Sequence, residues 1–179
     1  IDDFSLDDAV EVKKIESKIN HDVKAVEYFL QNKLSEVPGS TDYISSIHFA
    51  CTSEDINNVS YAMMIRDGVQ VIRSSLEEIG SKFRANSHQW CDSAMLSHTH
   101  GQPATPTTMG KEFANFLHRL EQQTDLLERM HYRAKMNGAV GNFNAHRIAY
   151  PNIDWPSISK TFVQNMGLEH SAYTTQIEP

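Results

Sequence analysis

Ser97-His98-Thr99-His100-Gly101-Gln102-Pro103-Ala104-Thr105-Pro106 is the stretch on which the reading of this chain turns. Two histidines flank a threonine, and a glycine and two prolines then interrupt any regular element before a helical pattern begins. The stretch reads as a polar, backbone-constrained loop held against a helix start. Thr105 is expected as the N-cap and Pro106 at the first helical position. Free N–H groups at such a start can face an anion. A histidine there is also a natural proton donor near neutral pH, its unperturbed pKa being about 6.5.

Outward from this loop the chain reads as long helices. Downstream, Met109, Phe113, Phe116, Leu120, Leu127 and Met130 form the seam of one helix. Upstream, Ala62, Val69, Ile72, Leu76, Ile79 and Phe83 recur at three- and four-residue steps, as a bundle seam requires. A helix from Ser53 to about Ala85 would be roughly 50 Å long. Gly68 and Gly80 lie inside it and allow a bend. Thr52 with Asp55, and Ser5 with Asp8, read as capping boxes; the second opens a helix through about Lys18. Another helix is expected from about Asp22 to Leu34, with Val23, Val26, Leu30 and Leu34 on one face. Pro38-Gly39-Ser40 marks a domain boundary, followed by a short segment around Tyr43–Phe49. Near the other end, Asn137–His146 is rich in Gly and Asn and reads as a turn or short hairpin where backbone approaches something closely. Ser157 is expected to cap a last short helix that stops at Gly167.

Composition narrows the function. The chain has 179 residues, 40% hydrophobic and 22% charged, with a formal net charge of -7. A phosphate-binding face for nucleic acid needs a basic surface, so nucleic acid is not an expected partner. The net charge does not exclude a small anionic ligand, since the local field of a cleft can oppose it. No apolar stretch approaches the roughly 20 residues of a membrane span, and residues 1–10 carry acids rather than a signal pattern. Cys51 and Cys91 are too few for a disulfide framework and read as reduced thiols of a cytoplasmic protein.

Three further stretches combine groups suited to a ligand. In Asn20-His21-Asp22-Val23-Lys24-Ala25, the histidine sits at a helix start beside a carboxylate that the dipole favours. The pattern fits a simple cap as well as a binding group. In Cys51-Thr52-Ser53-Glu54-Asp55-Ile56-Asn57, two hydroxyls and unpaired N–H groups meet at a helix N-terminus, which could cradle a carboxylate or only cap the helix. Thr174-Thr175-Gln176-Ile177-Glu178-Pro179 is the third. His98-x-His100 by itself also fits a pair of zinc ligands of a hydrolase, but no Cys, Asp or third His lies at a familiar spacing, so no metal is expected.

Taken together, these stretches resemble the fumarase/aspartase superfamily of elimination enzymes, and within it the adenylosuccinate lyase family. The likeness runs in one linear order from Lys18 to Pro179 through x-H-D-V-x-A, T-S-x-D-x-N, S-x-T-H-G-Q-P-A-T-P, N-G-A-V-G-N-x-N-A-H and T-T-Q-I-E-P. It implies an all-α long-helix bundle, with residues 1–40 as the end of a small helical first domain and 41–179 as the first part of the bundle domain. It implies β-elimination of fumarate from adenylosuccinate, giving AMP, and from SAICAR, giving AICAR, with no cofactor.

The resemblance assigns the general acid to His100 rather than His98, and a second catalytic role to His21. Asn20, Asp22, Thr52, Ser53, Thr99, Gln102 and Gln176 would bind substrate, while the glycines and asparagines of 137–146 would shape the cleft wall. It also implies a homotetramer with sites shared between subunits. The family's serine base lies on a loop of the form S-S-x-M-P-x-K-x-N, expected downstream, and an Arg-Tyr nucleotide contact upstream. With Ile1 first and Gln176-Ile177-Glu178-Pro179 last, the sequence is expected to be an internal piece carrying the acid side of the site. Argininosuccinate lyase or fumarase chemistry, and a non-catalytic helical scaffold, are the alternatives.

Overall fold

The computed structural model describes residues 4–177. Residues 1–3 of the expected first domain and Glu178-Pro179 of the last motif lie outside the described residues. The chain is mostly helical and forms two compact units: one from the chain up to Met63 together with the chain from Tyr132 onward, the other from Met64–His131.

In the first unit, α1 (Leu6–Ile19) opens on the expected capping box, Ser5 and Asp8 each accepting from the other's backbone N–H. Asn20 ends it in the left-handed conformation, and His21 immediately caps α2 (Asp22–Ser35). The buried residues of α2 are Val23, Ala25, Glu27 and Phe29, whereas Val26 is exposed. The helix is therefore covered on two sides, Val23 and Glu27 on the side of the expected Val23–Val26–Leu30–Leu34 line and Ala25 and Phe29 on the opposite one. A 3-10 turn (Thr41–Ser46) leads to α3 (Ser53–Gln89), one helix of 37 residues or about 55 Å.

The core of this unit gathers Val59 and Ala62 of α3 with Ala134, Val163 and Leu168. Ala134 lies on β3 (Arg133–Ala134), which pairs in parallel with β4 (Glu169–His170). Between them run α5 (Asn144–Ala149) and α6 (Trp155–Asn165). The cap of α6 is Asp154, not Ser157: the Asp154 carboxylate accepts from the Ser157 N–H, and Pro156 fits the first turn, where no donor is needed. Gly167, with φ +72°, follows the helix end as expected.

In the second unit the expected loop is a β-hairpin. β1 (Ala94–Thr99) and β2 (Gln102–Thr108) pair antiparallel, with an irregularity between Leu96 and His98. The helix start therefore shifts: α4 runs Met109–Glu128 and its N-cap is Thr108, whose hydroxyl accepts from the Lys111 N–H. Thr105 and Pro106 lie on the strand. A two-stranded ribbon has only edges, so Pro103 and Pro106 can sit in it without breaking a central ladder. α4 packs closely on the end of α3; a Cβ on Gly110 would lie 2.4 Å from the Ser87 carbonyl oxygen. Phe83 meets Phe113 and Phe116 at ring-centroid distances of 5.8 and 6.4 Å. Ile72, Ile79 and Phe116 of the expected seams remain exposed.

Candidate active site

The hairpin fixes His100. Its tip is the pair His100-Gly101, flanked by the partners Thr99 and Gln102, and both tip residues have positive φ, +53° and +74°. Two successive positive-φ residues in a two-residue loop are the signature of a type I′ turn, whose twist matches that of the strands. Histidine enters this region more readily than branched residues do. The imidazole is thereby carried at the apex of the hairpin, exposed, with Thr99 and Gln102 on either side.

In the other unit, Asn20, His21 and Asp22 form a corner between α1 and α2. His21 caps α2 through Nδ1, which accepts from the Lys24 N–H at 3.2 Å. In a neutral ring that bond uses the Nδ1 lone pair and leaves the Nε2–H to donate outward. Asp22 is held below the ordinary carboxylate pKa by the Val23 N–H first and then by the Asn57 amide. The Asn57 amide donates to it at 3.2 Å, tying the corner to α3 within its second turn. Beside this corner lies a cavity of about 500 Å³ whose walls include Val23, Phe29 and Ile56. Its lining is mostly apolar, and the polar corner meets it through Asp22 and Asn57, which stand on its wall with Lys13 and Glu16.

Thr52 and Ser53 open α3, half-buried. The Thr52 N–H donates to Asp55 Oδ2 at 2.9 Å, so the expected cap is made from the Asp55 side. Asp55 does more than cap. Its carboxylate also accepts from the N–H groups of Asn137 (3.1 Å) and Gly138 (3.1 Å) and pairs with Lys135 Nζ at 2.9 Å. Asn58 exchanges two bonds with the Lys135 backbone.

The Asn137 amide then donates to Thr174 Oγ1 at 2.7 Å, in the stretch that carries Gln176. A Cβ on Gly141 would lie 2.2 Å from the Thr174 carbonyl oxygen, so the Gly-rich turn does meet backbone closely, as its sequence suggests. Gln176 itself is exposed. Nearby, burial pushes the Cys51 thiol above its ordinary pKa, with the Asp55 charge adding to the effect, so it stays protonated and a poor nucleophile.

Three sequence motifs far apart in the chain, 52–57, 135–143 and 174–176, are thus joined by one polar network in the first unit. A family profile described as Lyase matches residues 1–178. The chain belongs to the lyase family. Among curated members it is 51% identical over 180 residues to an adenylosuccinate lyase of Legionella pneumophila, covering all of this chain and 40% of that protein. It is 49% identical over 177 residues to one of Escherichia coli K12, covering 98% of this chain and 39% of the relative. The chain thus spans about two fifths of the length of these relatives. A solved fumarate lyase from Mesorhizobium sp. shares the fold with a TM-score of 0.77 at 18% identity, over 96% of this chain and 38% of that one. The 3-carboxy-cis,cis-muconate lactonizing enzyme of Pseudomonas putida does so with 0.74 at 17%, over 91% and 36%.

Lys135 and Asn58 carry no role in the sequence reading, while Asn137 is expected there only as part of the cleft wall and Thr174 only as part of the stretch that holds Gln176. Asp55 was visible only as a capping residue, and no local spacing connects it to a lysine 80 positions away. The Lys-x-Asn-Gly order at 135–138 was the available signal: a glycine turn directly after a strand, with a cation at its mouth.

Proposed function

We propose that this chain is part of an adenylosuccinate lyase, acting on adenylosuccinate and SAICAR with release of fumarate. The observation that supports it most strongly is the 51% identity along the whole chain to a curated adenylosuccinate lyase. In the reaction, a base supplied by the rest of the protein removes a proton next to a carboxylate. The resulting carbanion is stabilised on the carboxylate, and the C–N bond breaks as an acid protonates the leaving nitrogen.

His100 is the proposed acid. At a hairpin apex its ring is free to reach a ligand, and its position is set by a turn rather than by side-chain packing. His21 would donate from Nε2 to a substrate oxygen. Asn20, Asp22, Thr52, Ser53, Thr99, Gln102 and Gln176 would hold the remaining polar atoms, since orientation supplies much of such a rate enhancement. Residues 1–40 are proposed as the end of a small first domain and 41–179 as the start of the long-helix domain. Exposed apolar residues such as Ile72, Ile79, Phe116 and Leu126 favour burial of α3 and α4 against further helices, consistent with a homotetramer. A cytoplasmic location fits two free thiols and soluble nucleotide substrates.

The test is fumarate release by the intact protein from adenylosuccinate and from SAICAR, followed in the ultraviolet. Turnover of both is expected. No fumarate from either would sink the reading, and release from argininosuccinate alone would move the protein to another branch of the superfamily.

A further inference from the structure

Resting on the lyase reading for its ligand, we propose that Thr174 is an additional binding residue, a hydroxyl donor to an anionic oxygen, and that Asn137 is the positioning residue that aims it. Asn137 is 1% exposed, and its amide donates to Thr174 Oγ1 at 2.7 Å. The hydroxyl oxygen therefore accepts from Asn137 and its own hydrogen is left to donate. Thr174 lines an open groove with Gly141, Asn142, Tyr173 and Thr175, and Tyr173 is fully exposed. A fixed donor in an open groove complements an oxygen that carries no hydrogen. A carboxylate of the succinyl group and the phosphate of the nucleotide both have that chemistry.

The aim of the hydroxyl is set from two sides. Asn137 is itself anchored, its backbone N–H donating to Asp55, whose other oxygen accepts from Thr52. On the far side, Gly141 fits against the backbone of Thr174 and Thr175 so closely that a Cβ there would lie 3.0 Å or less from their carbonyl groups. Thr174 is thus coupled through Asn137 and Asp55 to the residue that opens α3, and the two hydroxyl-bearing stretches keep a fixed register.

Kinetics on the intact protein test the assignment. Thr174→Val and Asn137→Ala should each raise KM for adenylosuccinate about tenfold, the order expected for losing one hydrogen bond to a charged group, with kcat changed much less. The double variant should be no worse than either single one, and Thr174→Ser should stay near wild type. A rise in the inhibition constant of fumarate alone assigns Thr174 to a carboxylate, and of AMP alone to the phosphate. Unchanged KM and inhibition constants in both variants would overturn the proposal. Hydrogen exchange at residues 174–177 needs no substrate: it should quicken in Asn137→Ala, and no change there would refute the positioning role. Wild-type protein that releases no fumarate would instead defeat the lyase reading, leaving the exchange result to decide the Asn137 link alone.

Discussion

Lys135 Nζ lies 2.9 Å from Asp55 Oδ1, and both side chains are wholly shielded from water. Burying two charges costs several kcal/mol per ion unless each remaining lone pair and proton finds a partner. Here they do so extensively. Lys135 also donates to the Gly138 carbonyl at 2.9 Å, and Asp55 accepts from the backbone of Thr52, Asn137 and Gly138. Its position in the first turn of α3 adds the favourable end of the helix dipole.

Removing one member should therefore be severe. Lys135→Met leaves the Asp55 carboxylate buried without its cation and is expected to cost about 3–5 kcal/mol. Urea unfolding, compared with wild type, measures it. An unchanged midpoint would mean that water reaches the pair in solution.

Gly138 and Gly141 offer a matched comparison. Both have positive φ, +86° and +82°, where an alanine is strained by about 1–2 kcal/mol. At Gly138 an added Cβ meets its nearest neighbours at 3.6 Å, an ordinary contact, while at Gly141 it would lie 2.2 Å from the Thr174 carbonyl oxygen. Gly138→Ala should thus show only the conformational cost. Gly141→Ala should cost clearly more in thermal unfolding and also raise KM, because the Thr174–Gln176 stretch must move. Equal losses would show that the turn yields without disturbing that stretch.

Much of this was legible from the chain, and the misses share a cause. Ser5 with Asp8, the start of α2 and the long α3 followed from caps and periodicity, which are local. The hairpin at 94–108 did not, because two prolines and a histidine at the tip disguise a strand pair whose only marker was Gly101. The cap of α4 moved from Thr105 to Thr108 for the same reason: once the ribbon continues past Pro106, the next threonine closes it. The Asp55–Lys135–Asn137–Thr174 network depends on residues 37 to 83 positions apart, a range over which spacing carries no information.

His146 should make stability depend on pH. It is 3% exposed, its ring lies 4.8 Å from that of Trp155 and 5.5 Å from that of Phe143, and its Nδ1 has no hydrogen-bond partner among the described residues. Burial pushes its pKa below the ordinary 6.5, and the Asp55 charge offsets this only in part. Above 6.5 the ring is neutral in both folded and unfolded chains and contributes no pH dependence. As pH falls below 6.5 the unfolded chain takes up a proton that the folded one resists, so stability is lost from there down to the folded-state pKa. Melting temperature measured between pH 8 and 5 should fall more steeply in wild type than in His146→Phe. Parallel curves would place the ring in contact with water.

The hairpin apex separates conformation from chemistry at His100. His100→Asn creates Asn-Gly, the dipeptide most favoured in a type I′ turn, at a position whose φ is +53°. The turn should therefore keep its shape or tighten, and circular dichroism and melting temperature should not fall. An amide cannot act as the acid, so on the lyase reading kcat of the intact protein should drop by about 10²–10⁴, the usual range for losing a general acid. His98→Asn is the control: its backbone pairs with Pro103 within the strands, away from the tip, and turnover should stay close to wild type. A His100→Asn protein that turns over normally would remove His100 from the chemistry. One that melts early would show that the tip depends on the imidazole for its fold, and loss of turnover in His98→Asn alone would move the acid two residues back from His100.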